Sequence, residues 1–199
     1  MRKKKTIRST ADIPIEPERP DSLLIFNSHR GSTLQYAKWL VEYLNCDVMP
    51  YTRQRLGYSI LYRNVIFLSW VRAGEIVRLK LLRQFADTFL LPEKKVIIAA
   101  VGLCEPTPGC VERLRQYNME PYFTYPSLYL LPGSHVPSKD RLLKWMYGKG
   151  MYGGLTTQEA EVLRERLTNG WDGMDRTKLK PILQEIEQAG QGSPAVNLS

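Results

Sequence analysis

Six consecutive apolar residues, Val96-Ile97-Ile98-Ala99-Ala100-Val101, set the strongest limit on how this chain can fold. A strand with one wet face carries a polar residue at every second position. This run has none, and neither does Val65-Ile66-Phe67-Leu68. Both predict strands of a parallel sheet covered on its two faces. Strand candidates fall at Ser22–Asn27, Cys46–Met49, Asn64–Leu68, Lys95–Val101 and Ser127–Leu131. Helix candidates fall at Thr33–Leu44, Ile76–Phe89, Val111–Tyr117, Thr156–Leu167 and Lys178–Gln188. Such alternation implies a doubly wound α/β domain, whose ligands sit beyond the carboxyl ends of the strands at the switch point.

The helices carry their own punctuation. Ala37, Leu40, Val41 and Leu44 form an i, i+3, i+4, i+7 face that ends at Asn45. Thr156-Thr157-Gln158-Glu159 reads as a capping box ahead of Ala160, Leu163 and Leu167. Asp175 precedes a last helix whose Leu179, Ile182, Leu183 and Ile186 would cover one face of the sheet.

With 199 residues, 43% of them hydrophobic and 24% charged, the chain suits one domain with a well-buried core. Residues 1–20, charged and broken by Pro14, Pro17 and Pro20, read as a disordered basic leader; 21–189 is the domain, and the Gly/Ser/Pro-rich 190–199 a flexible tail. No apolar run reaches the length of a membrane span, and no hydrophobic segment follows Arg2-Lys3-Lys4-Lys5 to make a secretory signal. Cys46, Cys104 and Cys110 form no Cys-x-x-Cys pair, which favours a reducing cytoplasm over a disulfide framework. His29 and His135 are too few for a zinc site. The net charge of +8 would attract nucleic acid or an anionic membrane surface, or be no more than a solvated basic surface. No zinc-finger, RNP-type or zipper pattern accompanies it, which argues against nucleic acid.

Three strand ends carry unusual sequence. The first, Ser28-His29-Arg30-Gly31-Ser32-Thr33, passes from an apolar strand into a helix. Backbone N–H groups, hydroxyls and the positive end of a helix dipole converge there, which suits a phosphate. The turn has neither the Gly-x-Gly-x-x-Gly of dinucleotide sites nor the Lys of triphosphate loops, and so fits a terminal phosphate monoester. An ordinary strand-to-helix turn would have a similar composition. The second, Ser69-Trp70-Val71-Arg72-Ala73-Gly74, offers an indole to stack on a flat ring or to cap the sheet edge. The third, Gly102-Leu103-Cys104-Glu105-Pro106, would let a ligand approach the backbone at Gly102. Cys104 reads as a small buried thiol rather than a nucleophile.

Taken in order, the segments Ile25–Val48, Val65–Ile76, Lys94–Pro106 and Leu128–Gly154 resemble the flavodoxin-like superfamily. Within it, they resemble the flavodoxin-domain proteins that include menaquinone-dependent protoporphyrinogen IX dehydrogenase. Ser28, Gly31 and Thr33 match the Ser/Thr-x-x-Gly-x-Thr opening, Ala73-Gly74 the end of the second loop, and Val101-Gly102-Leu103 the third. The resemblance spans about Ser22 to Gln188. It implies a three-layer α/β/α sandwich with a five-stranded parallel sheet in the order 2-1-3-4-5, binding flavin mononucleotide (FMN) non-covalently. Ser28, Arg30, Gly31, Ser32 and Thr33 would hold the phosphate. Ser69, Trp70, Val71, Arg72, Ala73 and Gly74, with Val101, Gly102, Leu103, Cys104 and Glu105, would flank the isoalloxazine. The flavin would perform the chemistry of an oxidoreductase, so no side chain is named as acid, base or nucleophile.

Two departures matter. Ser69, Trp70, Val71 and Arg72 replace a stretch that is usually glycine-rich, and electron-carrying flavodoxins are typically acidic where this chain is basic. The alternatives are an electron carrier with a protein partner, and a degenerate fold that binds no FMN and acts as an interaction module. An insert at about 133–154 interleaves Leu142, Leu143, Trp145 and Met146 with Lys139, Arg141, Lys144 and Lys149. It would suit an anionic membrane surface at the inner face, a tetrapyrrole or a quinone-bearing partner, or pack back on its own domain.

Overall fold

The two apolar runs form the middle of the sheet. Strand β3 (Asn64–Arg72) holds Val65, Ile66, Phe67 and Leu68 at 0% exposure. Strand β5 (Lys95–Gly102) runs parallel to it, from Asn64 beside Lys95 to Trp70 beside Val101. On the other side of β3 lies β1 (Ser22–Asn27), followed by β2 (Cys46–Pro50). Strand β6 (Ser127–Pro132) closes the far edge against β5. The order is β2-β1-β3-β5-β6, all parallel, and a two-residue β4 (Glu75–Ile76) is appended antiparallel to the end of β3. Counting the long strands alone, this is 2-1-3-4-5, the flavodoxin-like doubly wound order. Its switch point lies between β1 and β3.

The computed structural model describes residues 19–137 and 156–191. The leader up to residue 18, the tail from 192, and most of the insert, including Lys139, Arg141, Leu142, Leu143, Lys144, Trp145, Met146 and Lys149, lie outside the described residues.

Alternate strand residues serve opposite faces, as the pleat requires. Leu24, Ile66, Leu68, Ile97, Ala99 and Leu131 meet Tyr36, Ala37 and Leu40 of α1 (Ser32–Val41), together with Leu179, Ile182 and Ile186. The last two belong to the C-terminal helix α5 (Lys180–Gln191), and Leu179 closes the 3₁₀ turn before it. Leu23, Ile25, Val65, Phe67, Val96, Ile98 and Ala100 face the other way. There they meet Leu56 of the 3₁₀ turn Arg55–Leu61, Leu79 and Leu82 of α2 (Leu79–Gln84), and Cys110 and Leu114 of α3 (Pro108–Asn118). Helix α4 (Thr157–Asn169) stands apart from both clusters, and its role belongs to the site. The result is the expected three-layer α/β/α fold.

Several boundaries differ from the expectation. Helix α1 ends at Val41, because the N–H groups of Tyr43 and Leu44 both turn back to Leu40 O. Ile76 lies in β4, and α2 covers only Leu79–Gln84 of the predicted Ile76–Phe89. The next turn ends on Leu90 at φ 54, a left-handed conformation that stops a helix. Helix α3 starts earlier than expected, with Thr107 accepting from the Cys110 N–H and Pro108 in the first turn. The capping box at Thr156 and Glu159 is formed as read. Asp175 caps the 3₁₀ turn rather than the helix behind it, and α5 continues to Gln191.

One carboxylate ties α5 to the sheet. Glu185 accepts from Ser127 Oγ, from Tyr129 OH at 2.6 Å, and from Lys95 Nζ. Burial pushes its pKa up, but the bonds from Lys95, Ser127 and Tyr129 outweigh burial and leave it below the ordinary value. A depressed carboxyl stabilises the fold above its unfolded pKa and loses that stabilisation as pH falls through the folded one. Glu185→Gln should therefore lower Tm at neutral pH, and the difference should vanish once acid has protonated the wild-type carboxyl. Thermal unfolding of both proteins across that range checks it; a gap that stays constant with pH would place the cost in packing.

Candidate functional site

Strand β1 runs out at Asn27, and the chain enters α1 through Gly31, whose φ of +102 only glycine adopts without strain. Ser28 Oγ accepts the Leu34 N–H at 3.2 Å and so satisfies one donor of the first turn. The N–H groups of Ser32 and Thr33 meet no acceptor among the described residues. Thr33 is buried, and Arg30 stands exposed at the mouth. Helix α1 is ten residues long, with no acidic residue in its first turn to offset the positive dipole end. The first loop thus brings Ser28, Arg30, Gly31, Ser32 and Thr33 together at the switch point. An anion is the chemistry it suits.

The second stretch is not a loop. Ser69, Trp70, Val71 and Arg72 continue β3, and Ala73 (φ 50) and Gly74 (φ 80) make a two-residue hairpin turn into β4. Two positive φ values in succession mark a type I′ turn, the kind that matches strand twist. Ser69 is wholly buried; its Oγ donates to Val77 O at 2.6 Å and accepts from Asn27 Nδ2 at 3.1 Å. Trp70 stacks on His29, with ring centroids 5.0 Å apart and planes 19° from parallel. Asn118 at the end of α3 holds the hairpin from behind. Its Oδ1 accepts the Ile76 N–H at 2.7 Å, and its Nδ2 donates to Gly74 O at 2.8 Å and Leu114 O at 2.9 Å. Neither His29 nor Asn118 received a role from the sequence. A single Asn at a helix end carries no signal beyond a stop.

The third loop lies beneath a cap that the sequence did not disclose. After β6 the chain crosses the carboxyl end of β5, where Gly133 N–H donates to Gly102 O at 2.6 Å. A Cβ at Gly133 would sit 3.2 Å from Gly102 O, so a side chain there would crowd the crossing. The chain then forms β7 (Ser134–His135), which pairs with β8 (Trp171–Asp172) behind α4. Arg166 of α4 lies 3.8 Å over the Trp171 ring and donates to Leu103 O and the Glu105 carboxylate. Gly102, expected to admit a ligand, is buried beside Leu130 and Val71 and covered by Gly133. Val101 is buried too, Leu103 and Cys104 are partly exposed, and Glu105 is exposed.

Strand β7 also reaches the first loop. The Ser32 and Ser134 hydroxyls are 2.8 Å apart, and Ser32 Oγ accepts the Ser134 N–H at 3.1 Å. Arg30 donates to His135 Nδ1 at 2.9 Å. Burial and the Arg30 charge push the His135 pKa down, which favours the neutral ring that this bond requires. Tyr36, fully buried in α1, ties both ends of the cap to the helix: its OH donates to Pro132 O at 2.7 Å and accepts the Asp175 N–H at 3.1 Å. Burial raises that phenol to about 12.

No protein-family model and no curated protein matches the chain. Among solved structures it is similar to the Trp repressor binding protein of Bacillus subtilis, at 15% identity and a TM-score of 0.41, covering 73% of this chain and 96% of that one. The flavodoxin of Streptococcus pneumonia is 13% identical with a TM-score of 0.36, again covering 73% and 96%. A flavodoxin mutant of Fusobacterium nucleatum bound to flavin mononucleotide is 15% identical with a TM-score of 0.32, covering 42% of this chain and 52% of that one. At such identities the likeness is one of architecture. The flavodoxin-like fold stands on the strand order and the two covered faces.

Among the described residues no helix is long and apolar enough to cross a membrane, and no cluster of His, Cys, Asp and Glu could hold a metal ion.

Proposed function

We propose that the chain binds the phosphate of flavin mononucleotide at the N-terminus of α1 and works as a flavin-dependent oxidoreductase. The observation that carries this is the pair of N–H groups at Ser32 and Thr33 that meet no acceptor among the described residues, set behind Gly31 at the switch point of a flavodoxin-like sheet. Those N–H groups and the hydroxyls of Ser28 and Thr33 would hold the phosphate oxygens, and Arg30 would offset their charge. Trp70 would offer the flavin an aromatic face, with His29 turned aside from it. Ser32 and Arg30 would exchange their contacts with Ser134 and His135 for the phosphate. A bound flavin supplies one- and two-electron transfer. The protoporphyrinogen dehydrogenase-like activity, and a quinone, tetrapyrrole or protein as redox partner, belong to this proposal as its finer form.

A second reading has its own support. Strand β7 already occupies Ser32 and Arg30, and Trp70 already has an aromatic partner. A flavodoxin-like module that binds no flavin and contacts another protein would need nothing more.

Calorimetry with FMN and riboflavin separates the two. Hydrogen bonds to a charged group contribute about 1.5–3 kcal/mol each, so even one net bond should favour FMN by about tenfold or more. The purified protein should also show flavin absorbance, either as isolated or after adding FMN. A colourless protein that gives no heat with either compound would favour the module.

A further inference from the structure

We infer that His135 is a pH-operated keeper of the anion site: as a neutral ring it holds Arg30 on β7, and once protonated it releases Arg30 to the bound anion. The inference rests on the reading of Ser28 to Thr33 as a phosphate site and adds its regulation. Arg30 is the one permanent cation of that loop. Its single polar contact among the described residues is the 2.9 Å bond to His135 Nδ1. A guanidinium can only donate, so Nδ1 must accept, and it accepts only while it carries no proton. The loop itself is short of partners. Thr33 is 2% exposed, yet its hydroxyl and N–H, like the Ser32 N–H, meet no hydrogen-bond partner among the described residues.

Strand β7 is anchored independently of the Arg30 bond. Pro132 O accepts from Tyr36 OH at 2.7 Å, Gly133 N–H donates to Gly102 O at 2.6 Å, and Ser134 N–H donates to Ser32 Oγ at 3.1 Å. His135 follows in register with Trp171 of β8. The exposed side chain of Arg30 has no such anchor, so it is the partner that moves. Protonation puts an N–H on Nδ1, facing the guanidinium N–H, and a second positive charge beside the first. Two donors of like charge do not stay bonded.

The other charges around the ring have partners of their own. In β8, Asp172 is in register with Ser134, and its Oδ1 accepts the Met174 N–H at 3.1 Å. On α4, Arg166 lies over the Trp171 ring and bonds the Glu105 carboxylate. Beyond β8, the Asp175 carboxylate accepts the Thr177 N–H, and in the first loop His29 stacks on Trp70. Among described side chains, Arg30 alone hydrogen-bonds His135. Burial first, and then Arg30, push the His135 pKa down, with the Leu167 backbone opposing them, so the keeper opens only in acid. Anion binding should therefore strengthen as pH falls. By linkage, an anion that prefers the protonated form raises the His135 pKa by the same factor.

The test measures FMN and inorganic sulfate binding to the full chain from about pH 8 to about pH 5.5, the range of an imidazole. His135→Gln keeps an acceptor for Arg30 and does not titrate. Its ratio to wild type removes the titration of His29 and of the FMN phosphate. Wild type and His135→Gln should bind alike at the upper end and differ about tenfold at the lower end, the worth of one charge-assisted hydrogen bond. Arg30→Gln should abolish that difference. In the NMR titration of wild type, bound sulfate should raise the His135 pKa by about one unit, the same tenfold factor. Parallel pH profiles for wild type and His135→Gln, with FMN still bound, would overturn the keeper and leave the flavin reading standing. Sulfate binding that strengthens in acid, with no FMN bound, would keep the keeper and sink the flavin reading. A rise that survives Arg30→Gln would make the imidazolium itself the attractant and overturn the release of Arg30. Binding of neither anion would overturn both readings. The wild-type titration decides the matter even if a variant fails to fold, since a His135 pKa unmoved by sulfate also overturns the inference.

Discussion

Replacing Asn118 by Ala is expected to cost roughly 2–6 kcal/mol, about 1–3 for each of two backbone groups left without a partner. Those groups are the buried Ile76 N–H and the partly buried Gly74 O, both held by the 8%-exposed Asn118, so the carbonyl's share falls at the low end. Against a total stability of about 5–15 kcal/mol, this is enough to leave part of the population unfolded. The loss should not resemble a cavity. Asn118→Asp keeps the acceptor for Ile76 and loses only the donor to Gly74 and Leu114, so it should fall between wild type and Ala. Asn118→Leu fills the volume and satisfies neither group, so it should be as damaging as Ala. Urea unfolding of the four proteins orders them. If Leu proved close to wild type, the side chain would be a packing residue and the hairpin would hold itself.

That hairpin also shows where reading the sequence stopped. The long strands were legible because burial on both faces leaves runs such as Val96–Val101 with no polar option. Past Leu68 the strand continues as Ser69-Trp70-Val71-Arg72, a mixed sequence that a loop could share. Its turn uses Ala73 at φ 50, where Asn-Gly or Asp-Gly would have announced a hairpin. The partner that secures it, Asn118, lies 42 residues from Ile76 in the chain. The cap is harder still. Strands β7 and β8 have two residues each, too few for any periodicity, and Ser134 meets Ser32 across a separation of 102 residues. The proposed phosphate end is legible in the sequence because Ser28 to Thr33 is a local device: one strand end, one glycine and one helix start. The proposed ring end would depend on contacts between distant segments. Ser69 and Gly102, both assigned to it from sequence, are buried in protein contacts of their own.

The proposed flavin site separates into the same two parts by mutation. Gly31→Asp places a carboxylate in open space beside the N-terminus of α1, since a Cβ there has no atom within 4 Å. One negative charge about 4 Å from another costs about 4 kcal/mol at an effective dielectric of 20, an upper bound at an exposed turn that salt screens. Even half of that weakens FMN by about thirtyfold, since 1.4 kcal/mol is a tenfold change. The strain of a side chain at φ +102 contributes as well, and Gly31→Asn carries that strain with no charge. Asn should therefore bind FMN less tightly than wild type and still prefer it to riboflavin, whereas Asp should lose the preference altogether. Trp70→Ala leaves the phosphate end untouched and removes an aromatic face. It should weaken FMN and riboflavin by the same increment, about 0.5–1.5 kcal/mol, and shift the flavin's fluorescence. Calorimetry on the three variants with both compounds gives each one its own signature. Tighter FMN binding by Trp70→Ala would mean that the His29–Trp70 pair fills the place of the ring, and the reading without flavin would follow.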